Sequence, residues 1–490
     1  MTKNTVHASS VAKSDQTSSE ESETTVLNWL ALAVMLSGTF LFVLDFFIVN
    51  VALPSIQTEL LASPSLLLWV VAGYGVANAA LLILGGRLGD IFGQRRVFAW
   101  GTGSFAVASL LCGLAPSPEL LVAARVMQGA AGALMQPQVL AMLNLTYRGS
   151  KRTQAFAWYG LVLGGAAVLG QVIGGILIEL DLFGLGWRAC FLINVPIGVL
   201  SLFLIPRVLP AFPGQTRKNL DGLSVVLVGL SMSALLIGLI QGQANNWPVW
   251  TGASIAVSLP ILVWLVKKQS LLEAKGMIAL LPSSLFGNSR FLMGIAAALA
   301  FYMANAAFYF VLALHLQNTM NLSPLKSGMV FAVMAAGFFA ATLSSPKLQA
   351  CLKGKSVLFG AVILTIAHLS QSVVVSGYFF QVTNLWAVAC VLFVQGIGIG
   401  MVMAPLAANI LLSVRSDETG AASGLLGTIN QMGNALGVAL VGIVFFGIAG
   451  DMAANDAMSS AFSWSLIYLS VMTTLTAVFI WISQRAKFVR

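Results

Sequence analysis

Apolar stretches of about twenty residues recur along the chain from Asn28 onward, separated by short polar segments. Fourteen can be counted, centred near residues 39, 76, 106, 132, 166, 197, 231, 257, 303, 335, 366, 398, 434 and 472. Each approaches the ~20 residues that cross a ~30 Å hydrocarbon layer. Inside lipid a backbone must satisfy its own hydrogen bonds, so runs of this length predict helices. Residues 1–26, rich in Ser, Thr, Glu and Lys, predict a disordered tail. The segment before the first apolar run is acidic and lacks a short apolar core with a small-residue cleavage site, unlike a secretory signal.

The cations between the runs set an orientation. With the amino terminus in the cytoplasm, the inner segments collect 22 of the 25 Lys and Arg residues, from Lys3 through Arg95 and Arg96 to Arg490. The outer segments hold Arg188 and Lys326, and Arg125 falls inside the fourth run. Such alternation follows the positive-inside rule and places both termini in the cytoplasm.

An internal repeat lies at an offset of 267 residues: Gln128-Gly129 matches Gln395-Gly396, Leu169-Gly170 matches Leu436-Gly437, and Gly175 matches Gly442. The register predicts a six-helix bundle over 27–206, a linker with two extra helices over 207–290, and a second bundle over 291–484. The extra pair turns at Asn245-Asn246-Trp247-Pro248, and 485–490 forms a cytoplasmic tail. The expectation is an all-α membrane protein. Parallel six-helix repeats around a midplane site are a transporter arrangement. Glycine-rich helices that merely pack alike would leave a similar trace.

Composition agrees. Of 490 residues, 58% are apolar and 8% charged, against roughly a quarter charged in soluble domains. The net charge of +9 is topological, which argues against a nucleic-acid partner. Cys112, Cys190, Cys351 and Cys390 lie far apart with no His/Cys cluster, so neither metal nor disulfide is indicated. No Walker-type loop is present.

After the second run the chain reads Gly86-Arg87-Leu88-Gly89-Asp90-Ile91-Phe92-Gly93-Gln94-Arg95-Arg96. Gly86 and Gly93 are suited to tight turns, Asp90 to a facing helix end or cation, and Arg95 and Arg96 to the anionic inner leaflet. This resembles the signature loop between helices two and three of the major facilitator superfamily, with Ile91 and Gln94 where a cation is usual. Leu44-Asp45 followed by Val49-Asn50-Val51-Ala52-Leu53-Pro54, which closes the first run, Arg125-Val126-Met127-Gln128-Gly129, and Trp187-Arg188 with Phe191-Leu192-Ile193-Asn194-Val195-Pro196 narrow the resemblance to the fourteen-helix drug:proton antiporters. The fifth run, Gly170-Gln171-Val172-Ile173-Gly174-Gly175, resembles their antiporter motif with Gln171 in place of Pro. The resemblance implies two six-helix bundles plus two inserted helices in a bacterial cell membrane. It also implies alternating-access export of lipophilic drugs or metabolites against protons, without a cofactor, and gating by Gly86, Asp90, Gly93, Arg95, Arg96, Gly170, Gly174 and Gly175.

An ionisable group at membrane depth costs at least ~2.5–3.5 kcal/mol, so those present need a role or a partner. Asp45 in the first run can exchange a proton, whereas Arg125 in the fourth cannot. If their separation changes with conformation, proton affinity becomes dependent on state; a static buried pair is the plainer alternative. His368 reads as a packed residue, and Asp221 as an N-cap. At the repeat offset Arg125 aligns with Leu392, and the ninth run has no acid, which confines coupling to the first half. Tyr74 and Asn78, Gln136 on the Arg125 face, Tyr302, Asn305 and Tyr309, and Asn430 with Gln431 and Asn434 share helical faces. As a set they suit a cavity for a small lipophilic substrate, although interhelical hydrogen bonding uses the same residue types. A monomer is expected. The competing readings are a symporter or uniporter on the same fold, and a membrane sensor without transport.

Overall fold

The computed structural model describes residues 28–214, 222–274, 283–352, 354–375, 385–415, 419–449 and 455–485. Regular structure there is entirely helical. In the first half lie α1 (Trp29–Glu59), α2 (Pro64–Phe92), α3 (Gln94–Gly113), α4 (Pro118–Thr146), α5 (Gly149–Leu180) and α6 (Asn194–Val208). Two helices follow, α7 (Gly222–Ala244) and α8 (Val249–Ala274). The second half holds α9 (Ser289–Leu314), α10 (Pro324–Leu343), α11 (Ser356–Val375), α12 (Leu385–Leu412), α13 (Thr419–Ala449) and α14 (Asn455–Arg485). The expected tail at 1–26 and the residue Asp221 lie outside the described residues.

Local chemistry sets the helix starts. Asn28, Ser63, Ser117, Asn288 and Ser323 each accept a hydrogen bond from a first-turn backbone N–H, and Pro64, Pro118 and Pro324 follow their serine caps at the first helical position. Among the described residues, eleven helices are long and apolar enough to cross a membrane. The helices α3, α4 and α7 fall short by that measure. The first opens on Gln94-Arg95-Arg96, the second carries Arg125, Gln128, Gln136 and Gln138, and the third has a described apolar run of only Val226–Gly242. Each of the fourteen expected centres nonetheless falls within a helix.

The packing is that of two bundles. In the first, α2 and α3 lie against α4, and α1 against α5; in the second, α9 lies against α13 and α14, α10 against α12, and α11 against α12 and α14. The bundles meet along two seams, α2 with α13 and α5 with α10. The inserted helices pair with each other, and α7 touches both α2 and α13. Their turn uses positive φ at Asn246 and Trp247 (55° and 57°).

Two local expectations are corrected. Gly86 is not in a turn: α2 runs through it to Phe92, and its missing Cβ faces Pro137 of α4. The chain turns at Gly93 (φ 89°), where a Cβ would lie 2.2 Å from the Phe212 carbonyl oxygen. The first helix does not close at Pro54 either, but continues to Glu59.

Candidate functional site

The helices of the first bundle bring one carboxylate and one guanidinium together in its interior. Asp45 on α1 and Arg125 on α4 are fully buried, and among the described residues they are the buried carboxylate and the buried Lys or Arg. Arg125 Nη1 donates to Asp45 Oδ2 and to Gln128 Oε1 at 2.8 Å. Its Nε donates to the Val70 carbonyl of α2 at 2.9 Å. The other carboxylate oxygen, Oδ1, accepts from Gln128 Nε2 at 2.9 Å and from Asn194 Nδ2 at 2.6 Å. Gln128 Nε2 also donates to Ser109 Oγ of α3 at 2.7 Å. Five helices therefore supply groups to one centre. Removing one partner of such a pair typically costs 3–5 kcal/mol, because the other charge is left buried.

Aromatic rings complete the enclosure. The Arg125 guanidinium lies 4.3 Å from the Tyr74 ring centroid and 5.7 Å from that of Phe191, an arrangement that favours a desolvated cation. Tyr74 was expected to line a substrate cavity, as was Asn78. Both are fully buried inside the first bundle instead. The Tyr74 hydroxyl donates to the Phe42 carbonyl at 3.0 Å, and Asn78 Nδ2 donates to that of Gly129 at 3.2 Å. Helical periodicity gives a shared face, not the neighbour that face meets.

Other expected residues stand between the bundles. Tyr309 of α9 packs on Phe47 of α1 (centroids 4.7 Å apart) and stacks on Phe331 of α10 (5.8 Å). Gln431 lies where α13 crosses α2, its backbone oxygen 3.7 Å from a Cβ built at Gly75. Asn434 Nδ2 donates to Asn430 Oδ1 at 3.0 Å. Tyr302 faces Gly433 within the second bundle, and Gln136 is half-buried on α4. Asn305 borders a small internal cavity with His368 and Gln395. Gln395, the repeat counterpart of Gln128, donates to Gln371 Oε1 at 2.9 Å. Among the described residues, the second bundle has the amide and no buried ion pair, with Leu392 at the repeat position of Arg125.

The expected gating residues fall into two groups. At the Gly93 turn, Arg95 Nη1 donates to the Leu209 carbonyl at 3.0 Å, closing the end of α6 rather than reaching outward, while Arg96 is exposed. Asp90 is exposed and lies 3.5 Å from Arg87, one turn back on its own helix. At the other end, α5 presents glycines both ways. A Cβ at Gly170 would lie 2.9 Å from the Leu44 carbonyl oxygen, and one at Gly174 would lie 2.8 Å from Ile48 Cγ1. One at Gly175 would lie 2.5 Å from the Pro324 carbonyl oxygen of the second bundle. Gly328 of α10 approaches the Gln171 carbonyl at 2.8 Å in the same way. By contrast, Cβ atoms at Gly160 and Gly424, towards the opposite ends of α5 and α13, would meet nothing within 4 Å. The bundles touch from the end away from the Gly93 turn to mid-helix, where a Cβ at Gly164 would lie 2.2 Å from Phe338 Cε1 of α10.

A hydrogen bond that sequence reasoning missed joins the bundles at that end. The last turn of α9 loosens into a π-helix, His315–Thr319, and Gln317 Nε2 donates from it to the Val51 carbonyl of α1 at 2.9 Å. Such π turns often mark functional positions. Gln317→Leu should release this contact, worth ~0.5–1.5 kcal/mol. Thiol labelling of a cysteine placed at Ser323 should quicken roughly two- to tenfold; unchanged labelling would reduce the contact to packing. Asn194 and Ser109 were also missed as partners of the centre. Asn194 carried a signal, an amide at membrane depth, whereas Ser109 had none.

Two six-helix bundles, the first enclosing a buried charge centre, are a transporter arrangement, and the comparisons place the chain among transporters rather than enzymes. Residues 35–438 match the Major Facilitator Superfamily, and the protein belongs to that family. It is 36% identical over 431 residues to a probable actinorhodin transporter of Streptomyces coelicolor, covering 87% of this chain and 74% of that one. It is 33% identical to a cephamycin export protein of Amycolatopsis lactamdurans (88% and 86% covered) and 30% to a puromycin resistance protein of Streptomyces alboniger (93% and 91%). The fold resembles the xylose transporter of E. coli in a partially occluded inward-open conformation, with a TM-score of 0.62 at 13% identity (93% and 99% covered). The chain is thus a multi-span membrane transporter of small molecules.

Proposed function

We propose that this transporter exports lipophilic drugs or metabolites of antibiotic type in exchange for protons. The carrying observation is the Asp45 carboxylate, buried in the first bundle and held by Arg125, Gln128 and Asn194. A proton on Asp45 would remove its charge and weaken all three bonds, so protonation and helix packing are tied together. The names of the relatives support export and the antibiotic class. The neutral, aromatic and amide groups between the bundles (Tyr309, Gln431) support a lipophilic, partly polar cargo. The proton gradient is the energy source, since the sequence has no nucleotide loop.

In this reading both termini face the cytoplasm of a bacterial cell, following the 22 inner cations. The contact at Gln317, Gly175 and Gly328 is then the outer gate, here shut. The Asp90 loop is an inner gate whose partner across the bundles is met only in the opposite state. Proteoliposomes with an imposed pH gradient test the whole reading: in transporters inserted inside out, an acidic lumen should drive dye uptake, and substrate movement indifferent to the gradient would make the protein a uniporter. Asp90→Asn should slow turnover by about tenfold, as a loss of ~1–2 kcal/mol from one conformation implies. Its expression should stay normal, because the side chain is exposed. Unaltered efflux by that variant would leave the loop a topological anchor.

A further inference from the structure

Away from the charge centre, a groove of about 410 Å³ opens between the first turns of α1 and the first third of α5. Its lining is Trp29, Leu32, Leu36 and Phe40 on one helix and Trp158 and Val162 on the other, with Ala33 and Ser37 at the side. Ser37 is the polar member, and its hydroxyl is engaged by the Val34 carbonyl at 2.8 Å and by Ser201 Oγ at 2.9 Å. Apart from the indole N–H groups of Trp29 and Trp158, the walls therefore offer nothing to a polar solute. Two exposed indoles, Trp29 and Trp158, stand edge to face 5.8 Å apart beside the groove. Indoles of this kind mark the level of lipid headgroups.

A cation stands in line with the slot. Lys151, Trp158 and Val162 follow i, i+7 and i+11 on α5, so they form one stripe, with Lys151 about 10 Å beyond the indole. Arg148 and Arg152 flank it at the start of the helix. An occupant must then be apolar and slender along the groove and anionic one to two turns above it.

We infer that this groove is a binding site for an anionic phospholipid, with an acyl chain between α1 and α5 and the phosphate at Lys151. The charge pattern favours this over a neutral lipid or a cationic drug, because basic side chains beside an anionic leaflet each strengthen binding about fivefold. The site is independent of the Asp45 centre and does not depend on the direction of transport.

Full-length protein in nanodiscs of equal phosphatidylglycerol and phosphatidylethanolamine, examined by native mass spectrometry, tests the site. The unmodified protein should retain phosphatidylglycerol in preference. Lys151→Gln should cut that preference about fivefold without lowering total lipid. Ala33→Phe, which fills the exposed side of the groove, should lose one bound lipid and keep the charge. Both positions are at least partly exposed, so folding should survive. Equal retention of the two lipids by the unmodified protein, or a preference untouched by Lys151→Gln, would overturn the assignment. Release of the bound lipid by a lipophilic drug at stoichiometric amounts would overturn it too, giving the groove to the cargo.

Discussion

Asp45→Asn is expected to abolish uphill efflux while leaving downhill exchange of substrate measurable. One charge crossing 100 mV yields ~2.3 kcal/mol, enough at ~1.4 kcal/mol per tenfold for roughly a fifty-fold gradient of a neutral cargo. A permanently neutral amide cannot carry that charge, so the accumulation ratio should fall to about one. The variant leaves Arg125 opposite an amide, which is destabilising in a buried site, so yield and thermal stability must be measured alongside transport. A folded variant that exchanges substrate downhill but no longer releases protons on substrate addition is the predicted result. Full accumulation by Asp45→Asn would make the ion pair a static fixture of the bundle.

Gly175→Leu should stop transport by a different route. No side chain fits 2.5 Å from the Pro324 carbonyl oxygen and 3.0 Å from Leu325 Cα, so the two bundles must part at the end where they now touch. Overpacking of this kind costs ~1–3 kcal/mol, which shifts a two-state balance on the order of 10- to 100-fold. Turnover should fall by a similar factor. A cysteine at Ser323, in a background lacking exposed Cys351 and Cys390, should become readily labelled from outside. Gly160→Leu is the control, since nothing lies within 4 Å of that position. If Gly175→Leu transports normally, the contact is not a gate.

How far the sequence could be read depended on the range of the forces involved. Helices answer to local hydropathy, and all fourteen expected centres lie in helices. Asp45 and Arg125 stood out because charge at membrane depth is costly wherever it is placed. Their pairing spans 80 residues, so the cost of a buried charge signals that a partner exists without identifying the full set. Ser109 was invisible because serine is common in membrane helices. Tyr74 and Asn78 were assigned to the wrong environment because a periodic face can turn towards a cavity or into a bundle with equal ease. Gly86 looked like a turn residue, yet α2 runs straight through it; the close approach to α4 falls at its neighbour Gly85, where a Cβ would lie 2.0 Å from the Ala133 carbonyl oxygen, a tertiary demand that leaves no local mark. The π turn at His315–Thr319 was likewise unreadable, since its register depends on what Gln317 meets on the other bundle.

The inserted pair has a consequence for how a molecule dissolved in the bilayer can reach the space between the bundles. Because α7 touches both α2 and α13, it lies across one of the two seams like a batten over a joint. A Cβ at its Gly229 would stand 3.2 Å from the Ala80 carbonyl oxygen of α2, so the cover is tight. Sideways entry from lipid is therefore hindered along that seam and left to the other, between α5 and α10. A transporter of this build is one-sided towards its membrane, and if its cargo is the lipophilic class proposed above, mutations that change which compounds enter from the bilayer should gather on α5 and α10.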